Sequence, residues 1–550
     1  MSLAPAHRRG RYSRRNRHPL HRASRLAVLL LLFAAGCAPR ELRLDIAPEV
    51  RRPDRYVHVF FADGLRKDTL DRLLDRGELP NIRDRFIRNG TRWENTVVCL
   101  PSVTYANTVA LLTGVHPGTH GVIGNAWFDA AAGASRDYGT PDTYTLVNDD
   151  FFAKTIHERL NPLPTANILC PTHRGASVSW MHPIGTGIDW LFEDFESVND
   201  RSARSITDLA RHANRTHDWP ALTIQYFPGV DETAHRFGSA GDAYERIVRA
   251  LDRQIGEVTA AVDASPLRDR TVFALVTDHS HTPAPPERRF DLRRRLEQSV
   301  GVPLPAPQQR KTTPDPRLAR GSGPAVLANI ASRVAHFHLW PATPNESAVA
   351  LQNRLVAALL EQDCVDLVCI RQSDGAVSVR SRRGDALVRP AARGYAYLPT
   401  IGDPLGYAAD PRLAPLLSVD GASATDWLAA THNTAYPDTP VQLVEMFRSP
   451  RAGDVTAFAA DDWLFKSADA SGHGSALRSD CVATYFFAGA GVEPGVTVPY
   501  ARNLDLVPTL LSILAQSATE SAPPQQLQGL PRAAAPAAER FSLTPANPAP

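Results

Sequence analysis

Apolar residues in this chain gather into short dense runs, and the stretches between them carry a helical beat. YVHVFFAD (Tyr56–Asp63), ALTIQYFPGVD (Ala221–Asp231) and TVFALVTD (Thr271–Asp278) are dominated by apolar or β-favouring residues, and each ends in an aspartate. A dense run without polar alternation predicts a strand buried on both faces of a parallel sheet. Between the second and third runs, DAYERIVRALDRQIGEVTAAV places Tyr244, Ile247, Val248, Leu251, Ile255 and Val258 on one stripe, the period of an amphipathic helix. Strands alternating with such helices predict an α/β fold, a doubly wound, mostly parallel sheet flanked by helices. Such sheets bind ligands beyond the carboxyl ends of their strands, where the three aspartates fall.

After Thr282 the texture changes. PAPPERRF and VPLPAPQQRKTTPDPRLARGSG are rich in Pro and Arg and predict a loop or hinge. AVLANIASRVAHFHLW then reads as strand, Ser347–Gln362 as helix, and VDLVCIRQSDGAVSVRS as a hairpin turning at Asp374-Gly375. Residues 283–440 are assigned to an inserted, smaller α+β cap, which separates a first part of the core (54–282) from a second part (441–519). In that second part GDVTAFAADDWLF and CVATYFFAGAGV are strands and NLDLVPTLLSILAQ a closing helix. Residues 520–550, rich in Ala and Pro, are expected to be disordered. A length of 550 residues suits a core with a sizeable insertion.

The N-terminus adds an address. A strongly basic stretch precedes the short apolar run LAVLLLLFAA (Leu26–Ala35), the layout of an export signal and too short for a free-standing membrane span. The run ends Ala34-Ala35-Gly36-Cys37, which resembles the bacterial lipobox. That resemblance implies a signal over 1–36, a lipidated Cys37, and a tether over 37–53 that anchors the protein to a membrane. With Ala38 rather than Asp after the cysteine, it implies the periplasmic face of an outer membrane. An ordinary cleaved signal, giving a soluble periplasmic or secreted protein, is the alternative. The formal charge of +2 gives no reason to expect nucleic acid as a partner. Five cysteines besides Cys37 exclude a complete disulfide framework, although Cys364 and Cys369 are close enough in sequence to pair. Oligomeric state is not legible.

Histidines supply the remaining chemistry. Asp231 and His235 stand four residues apart, on one face if the stretch is helical. Asp278-His279 closes the third strand, and His473 lies between Gly472 and Gly474 in a tight loop. Each alone has a plain structural reading: a surface ion pair, a strand cap, a turn. Together, three carboxylates and three imidazoles form a mixed O/N set suited to zinc or a similar divalent ion, and enough ligands for two.

The order of these motifs resembles the alkaline phosphatase superfamily and, within it, the type I phosphodiesterase/nucleotide pyrophosphatase family. In that family a strand-end aspartate precedes a threonine opening a TFPNH-like helix start, then TG…P…HG(I/V)…N, D-x-x-x-H, DH and G-x-HG. Here these are Asp63, Thr104 in TYANT, TGVHPGTHGVIGN ending at Asn125, Asp231/His235, Asp278/His279 and Gly472–Gly474. The resemblance implies that Asp63, Thr104, Asp278 and His279 hold one metal, and Asp231, His235 and His473 the other, most naturally both zinc. It further implies Thr104 as a nucleophile that forms a phospho-threonine, with Asn125 donating an amide N–H to a non-bridging oxygen.

The chain also departs from the pattern. Tyr105 keeps an aromatic beside the nucleophile, where it is a candidate to stack on a planar leaving group, but the Pro and His of TFPNH are gone. DHS replaces DHG, and His281 just beyond it is given a structural role, as are His116 and His120. The expected function is an exported two-metal phosphodiesterase or nucleotide pyrophosphatase acting on a small phosphate ester. The alternatives are a phosphomonoesterase or a phosphonate or phospholipid-headgroup hydrolase on the same scaffold, or a non-catalytic lipoprotein that binds without turnover.

Overall fold

Strand 56–62 lies inside the central sheet. It pairs in parallel with 222–227 on one side (Val57 with Leu222, Phe61 with Tyr226) and with 271–276 on the other (Tyr56 with Thr271, Phe61 with Val276). The three apolar runs of the sequence are therefore neighbours, and every residue of each strand is buried. The computed structural model describes residues 52–129, 133–216, 218–306, 326–339 and 347–515, with Leu44, Ile46 and Val50. The signal, Cys37, part of the expected tether, the Arg-rich stretch at 307–325 and the tail from 520 lie outside the described residues. No helix among the described residues is long and apolar enough to cross a membrane.

The central sheet runs 496–498, 90–97, 482–489, 271–276, 56–62, 222–227, 165–168, 178–180. From 271–276 to 178–180 all neighbours are parallel, while 482–489 is antiparallel to both 271–276 and 90–97. Helices 195–216 and 242–263 pack on each other beside it, the latter with Tyr244, Ile247, Val248, Leu251, Ile255 and Val258 buried as the stripe predicts. Burying each such side chain stabilises the fold by about 1.5–3 kcal/mol.

A second sheet is wholly antiparallel, ordered 326–330, 334–339, 455–459, 365–371, 377–381, 384–391, 394–402. Helices 292–300 and 348–360 cover it through Leu292, Leu296, Leu351, Leu355 and Leu359, packed with Phe337 and Val368. The hairpin at 365–381 turns at Asp374-Gly375, with Gly375 at φ 82°.

Two expectations are corrected. Strand 455–459, read as rejoining the core after 441, is instead inserted in the second sheet between 334–339 and 365–371. Its composition announces a strand buried on both faces, and both sheets have such a place, so the pattern does not choose between them. The second run also ends earlier than read. The strand stops at Phe227, Pro228 supplies no N–H to continue the ladder, and Asp231 falls in the first turn of helix 229–237. The described cysteines are all unpaired and buried. Cys364 and Cys369 flank and occupy one extended strand, which separates them by roughly 16 Å, far beyond the reach of a disulfide.

Candidate active site

Thr104 is the first residue of helix 104–113, reached from strand 90–97 by a buried loop. Asn107, one turn into the helix, holds that loop. Its Oδ1 accepts from Cys99 N–H at 2.8 Å, and its Nδ2 donates to the carbonyls of Cys99 (3.1 Å), Pro101 (3.0 Å) and Val103 (3.2 Å). Asn125 Oδ1 accepts from the Tyr105 N–H at 3.0 Å, which turns the amide NH2 of Asn125 the other way. The helix ends at Gly114 in the left-handed region (φ 74°), as the sequence suggests. Thr104 thus sits where unpaired helix N–H groups carry partial positive charge.

Around Thr104 Oγ1 the other candidates converge. His279 Nε2 lies 3.2 Å from that oxygen, 3.3 Å from Asp63 Oδ1 and 3.4 Å from Asp278 Oδ2. Asp231 Oδ2 lies 3.6 Å from His235 Nε2, one helical turn on, and His235 Nε2 lies 3.1 Å from His473 Nε2. Tyr105 is half-buried, its ring 4.7 Å from that of Tyr138 and its hydroxyl donating to the Tyr138 carbonyl at 3.3 Å. His120 is buried under helix 104–113 with Nε2 on the Ala106 carbonyl at 3.1 Å, and His116 Nδ1 faces Cys99 Sγ at 3.7 Å; neither reaches the cluster.

The electrostatics of the cluster call for positive charge. Burial, then the charges of Asp278 and Asp231, push the Asp63 carboxyl well above the usual range. Burial, reinforced by Asp231, pushes Asp278 up to about 7. Burial alone would raise Asp231 as well, but the imidazoles of His235, His281 and His473 outweigh it and hold that carboxyl below the ordinary range. Burial drives His279 down to about 3 and His473 far below its ordinary value, so both rings are neutral. Asp63 Oδ1 and Asp278 Oδ2 are buried with no hydrogen-bond partner, and both face His279 Nε2. Buried carboxylate oxygens without donors, beside neutral imidazole nitrogens, fit a divalent cation and little else. The ligand atoms fall into two groups, Asp63, Asp278 and His279, and Asp231, His279, His281 and His473, each with all members within 4.8 Å.

Supporting residues complete the setting: Tyr226, which the sequence reading passed over, and His281, which it read as structural. Tyr226 donates its hydroxyl to Asp63 Oδ2; its register opposite Phe61, one pair short of the strand ends, puts it there. His281 lies inside the cluster rather than in a purely structural place, with Nε2 2.5 Å from Asp231 Oδ1. The available signal was the i, i+2 spacing of His279 and His281, which puts both rings on one side of an extended segment. The His473 loop is tied down by its ring, whose Nδ1 donates to the Ser102 carbonyl at 2.9 Å, and by Ser475 N–H donating to Asp480 Oδ2 at 2.8 Å.

Asp480 in turn pairs with Arg333 Nε at 2.8 Å, both side chains fully buried, and Arg333 also donates to the Trp463 carbonyl at 2.6 Å. This pair links the second sheet to the His473 loop. Removing the cation alone leaves a buried unpaired carboxylate, so Arg333→Met is expected to cost about 3–5 kcal/mol. Urea unfolding midpoints of the two proteins would show it, and a loss under about 1 kcal/mol would mean the pair is not what holds the loop.

The arrangement can be compared with known proteins on its order along the chain as well as its geometry. A family model described as type I phosphodiesterase / nucleotide pyrophosphatase matches residues 57–480, from the first strand to just past the His473 loop. The chain belongs to the type I phosphodiesterase/nucleotide pyrophosphatase family. Among individual relatives of this family member, an uncharacterized pyrophosphatase/phosphodiesterase of Schizosaccharomyces pombe is 25% identical over 41% of this chain and 45% of its own length. The human bis(5'-adenosyl)-triphosphatase is 21% identical over 44% of this chain and 50% of its own. GPI ethanolamine phosphate transferase 1 of Emericella nidulans is 23% identical over 44% of this chain and 26% of its own. The chain spans about half the length, or less, of these curated relatives.

Proposed function

We propose that this chain hydrolyses a phosphodiester or nucleotide pyrophosphate bond, with Thr104 as the nucleophile. The observation that carries the reading is the position of Thr104 Oγ1, at a helix N-terminus and 3.2 Å from His279 Nε2 at the edge of a buried Asp/His cluster. The names of the Schizosaccharomyces pombe and human relatives, pyrophosphatase/phosphodiesterase and triphosphatase, point the same way. A module that only binds has no use for buried carboxylates this close together, since their mutual repulsion costs stability.

Asp63, Thr104, Asp278 and His279 would hold one divalent ion, and Asp231, His235 and His473 a second, with zinc suited to this donor set. When bound, the ions supply the Lewis-acid charge that makes a threonine hydroxyl nucleophilic at neutral pH and that offsets charge on the phosphoryl and leaving oxygens. The protein's own groups do the rest. Thr104 Oγ1 bonds to phosphorus and the ester or anhydride oxygen leaves. The Asn125 amide, oriented by the Tyr105 N–H, donates to a non-bridging oxygen, where charge accumulates in the transition state. Water then cleaves the phospho-threonine from the opposite side, so configuration at phosphorus is retained overall. Tyr105 is placed to contact the organic group of the substrate.

Diesters are favoured over monoesters because the only cationic groups the carboxylates of the cluster meet are imidazoles. Among the described residues no lysine or arginine lies within ion-pair distance of Asp63, Asp231 or Asp278. A dianionic monoester brings one more charge than this site is built to match. Parallel rates on bis-p-nitrophenyl phosphate and p-nitrophenyl phosphate test the reading, with the diester expected to be at least about 10-fold faster in kcat/KM, a difference of about 1.4 kcal/mol. A monoester preference of the same size would replace this reading with a phosphomonoesterase.

A further inference from the structure

His281 lies outside the motifs that define the family resemblance, yet its ring is turned like those of the assigned ligands. His279 Nδ1 faces the Ser280 carbonyl at 3.1 Å and His473 Nδ1 faces the Ser102 carbonyl at 2.9 Å. A carbonyl only accepts, so in both rings the proton is on Nδ1 and the Nε2 lone pair points into the cluster. His281 has the same outer arrangement with a hydroxyl in place of the carbonyl, its Nδ1 3.0 Å from Ser471 Oγ. Ser471 has other acceptors for its single proton, the Thr282 carbonyl at 3.0 Å and Ser239 Oγ at 2.7 Å. With that proton given away, the Ser471 oxygen takes the Nδ1–H of His281. The Nε2 of His281 then faces Asp231 Oδ1 at 2.5 Å, and a cation held between the two takes the place of the proton that otherwise bridges them.

Resting on the metal-dependent reading above, we propose that His281 is an additional protein ligand at the Asp231 metal position, joining Asp231, His235 and His473. Its surroundings fit this. The ring is buried, its centroid is 4.9 Å from that of His473 and 4.8 Å from that of His235, and its ligand atom falls within 4.8 Å of those of Asp231, His279 and His473. The space is also taken, since a Cβ on Gly64 would come within 2.9 Å of the His281 ring and 2.8 Å of Asp231 Oδ1. A side chain held this closely by the first strand's turn on one side and Ser471 on the other has its nitrogen fixed in advance. An outer hydrogen bond of the Nδ1 kind is the usual companion of a metal-binding imidazole. The Asp231 position would then carry three imidazoles and a carboxylate, a fuller protein shell than the motif residues alone supply.

The test is metal binding, read without turnover. Full-length wild type, His281→Ala, His281→Gln and Ser471→Ala are stripped with chelator and titrated with zinc against a competing indicator, and cobalt-substituted samples are compared by visible absorption. Glutamine keeps an N–H able to donate to Asp231 but is a poor metal ligand, so it separates ligation from hydrogen bonding. Wild type is expected to bind about two ions per chain. In both His281 variants one ion is expected to bind at least about 100-fold more weakly, with altered cobalt bands, and Ser471→Ala to lose about 10-fold with His281 intact. His281→Gln with wild-type affinity and wild-type cobalt bands would overturn the proposal and leave His281 a hydrogen-bonding partner of Asp231. If the His281 variants do not fold, wild-type affinity in Ser471→Ala overturns it instead. Wild type that binds no ion sinks this proposal together with the metal-dependent reading, whereas unchanged variants of a metal-binding wild type sink this proposal alone.

Discussion

Thr104→Ala is expected to lose diesterase activity by at least about 10³-fold while still binding metal and folding normally. The size follows from what is removed. A nucleophile supplies the bond to phosphorus, and its loss leaves only positioning and electrostatic stabilisation, which account for residual rates of about 10³–10⁴ over water in other enzymes that have lost their nucleophile. Alanine suits the first position of a helix and fills no space the threonine did not, so stability is expected to change by less than about 1 kcal/mol. Thr104→Ser restores the hydroxyl and is expected to restore most of the rate. Side-by-side kcat/KM values with zinc content measured on the same samples check this. Metal present with activity unchanged in Thr104→Ala would show that the cluster is rightly assigned and the nucleophile is not.

The second large effect is expected on removing metal. Dialysis against a chelator should abolish activity, lower the melting temperature, and be reversed by zinc. Each ion at 100 times its dissociation constant contributes about 2.7 kcal/mol, so loss of both should be plain in a thermal scan. The proton balance makes this prediction specific. Without metal, the Asp278 carboxyl titrates near 7 and Asp63 is also raised, so near pH 6 this pair holds a proton that an incoming cation must displace. The neutral rings of His279 and His473 have none to give, whereas burial at His235 is outweighed by the charges of Asp231, Asp469 and Glu232, which raise it, so that ring holds a second proton near pH 6. Zinc binding should therefore release about two protons per chain at pH 6, one from the carboxyl pair and one from His235, and fewer at pH 9, with affinity rising with pH over that range. Calorimetry in buffers of different ionisation enthalpy measures that number. The same raised carboxyls make the metal-free fold lose stability as pH climbs from about 4 to about 7, opposite in sign to the buried neutral histidines, whose contribution grows up to about 6.5. Proton release on rebinding isolates the carboxyls and His235 from that opposing background. No release at pH 6 would mean that Asp63 and Asp278 are not the ligands.

The sequence was most legible where a local rule and the overall topology agree. Three buried runs became three adjacent strands because parallel strands buried on both faces tolerate almost no polar residue, and their ends had to lie at the site. Asp231 and His235 share a face through helical spacing alone. What was not legible depends on partners distant in sequence. Strand 455–459 could have joined either sheet, and only the pairing decides. Tyr226 reads as one more aromatic in an apolar strand, and its contact with Asp63 exists because two registers meet. His281 was judged by its departure from a motif, whereas its place is set by Ser471, 190 residues away. Arg333 and Asp480 carry no signal of being a buried pair until the second sheet is laid beside the loop that holds His473.

Strand 482–489 lies between 271–276 and 90–97, so the middle of the central sheet is closed by almost the last segment of the described chain. Contacts of such long sequence separation form slowly. Residues 63 and 473 of the same site are more than 400 positions apart, an interval that takes roughly half a minute of synthesis at ordinary rates. Until 482–489 arrives, strand 271–276 has an open edge and Asp278 at its end has no finished pocket. A nascent chain lacks His473, and with it the full Asp/His cluster, until most of its length has been made. The parallel strands from 56–62 to 271–276 precede 482–489 in the chain, so what comes late is the closure of the sheet's edge and the completion of the site, and until then the edge of 271–276 is open to pairing with a neighbour.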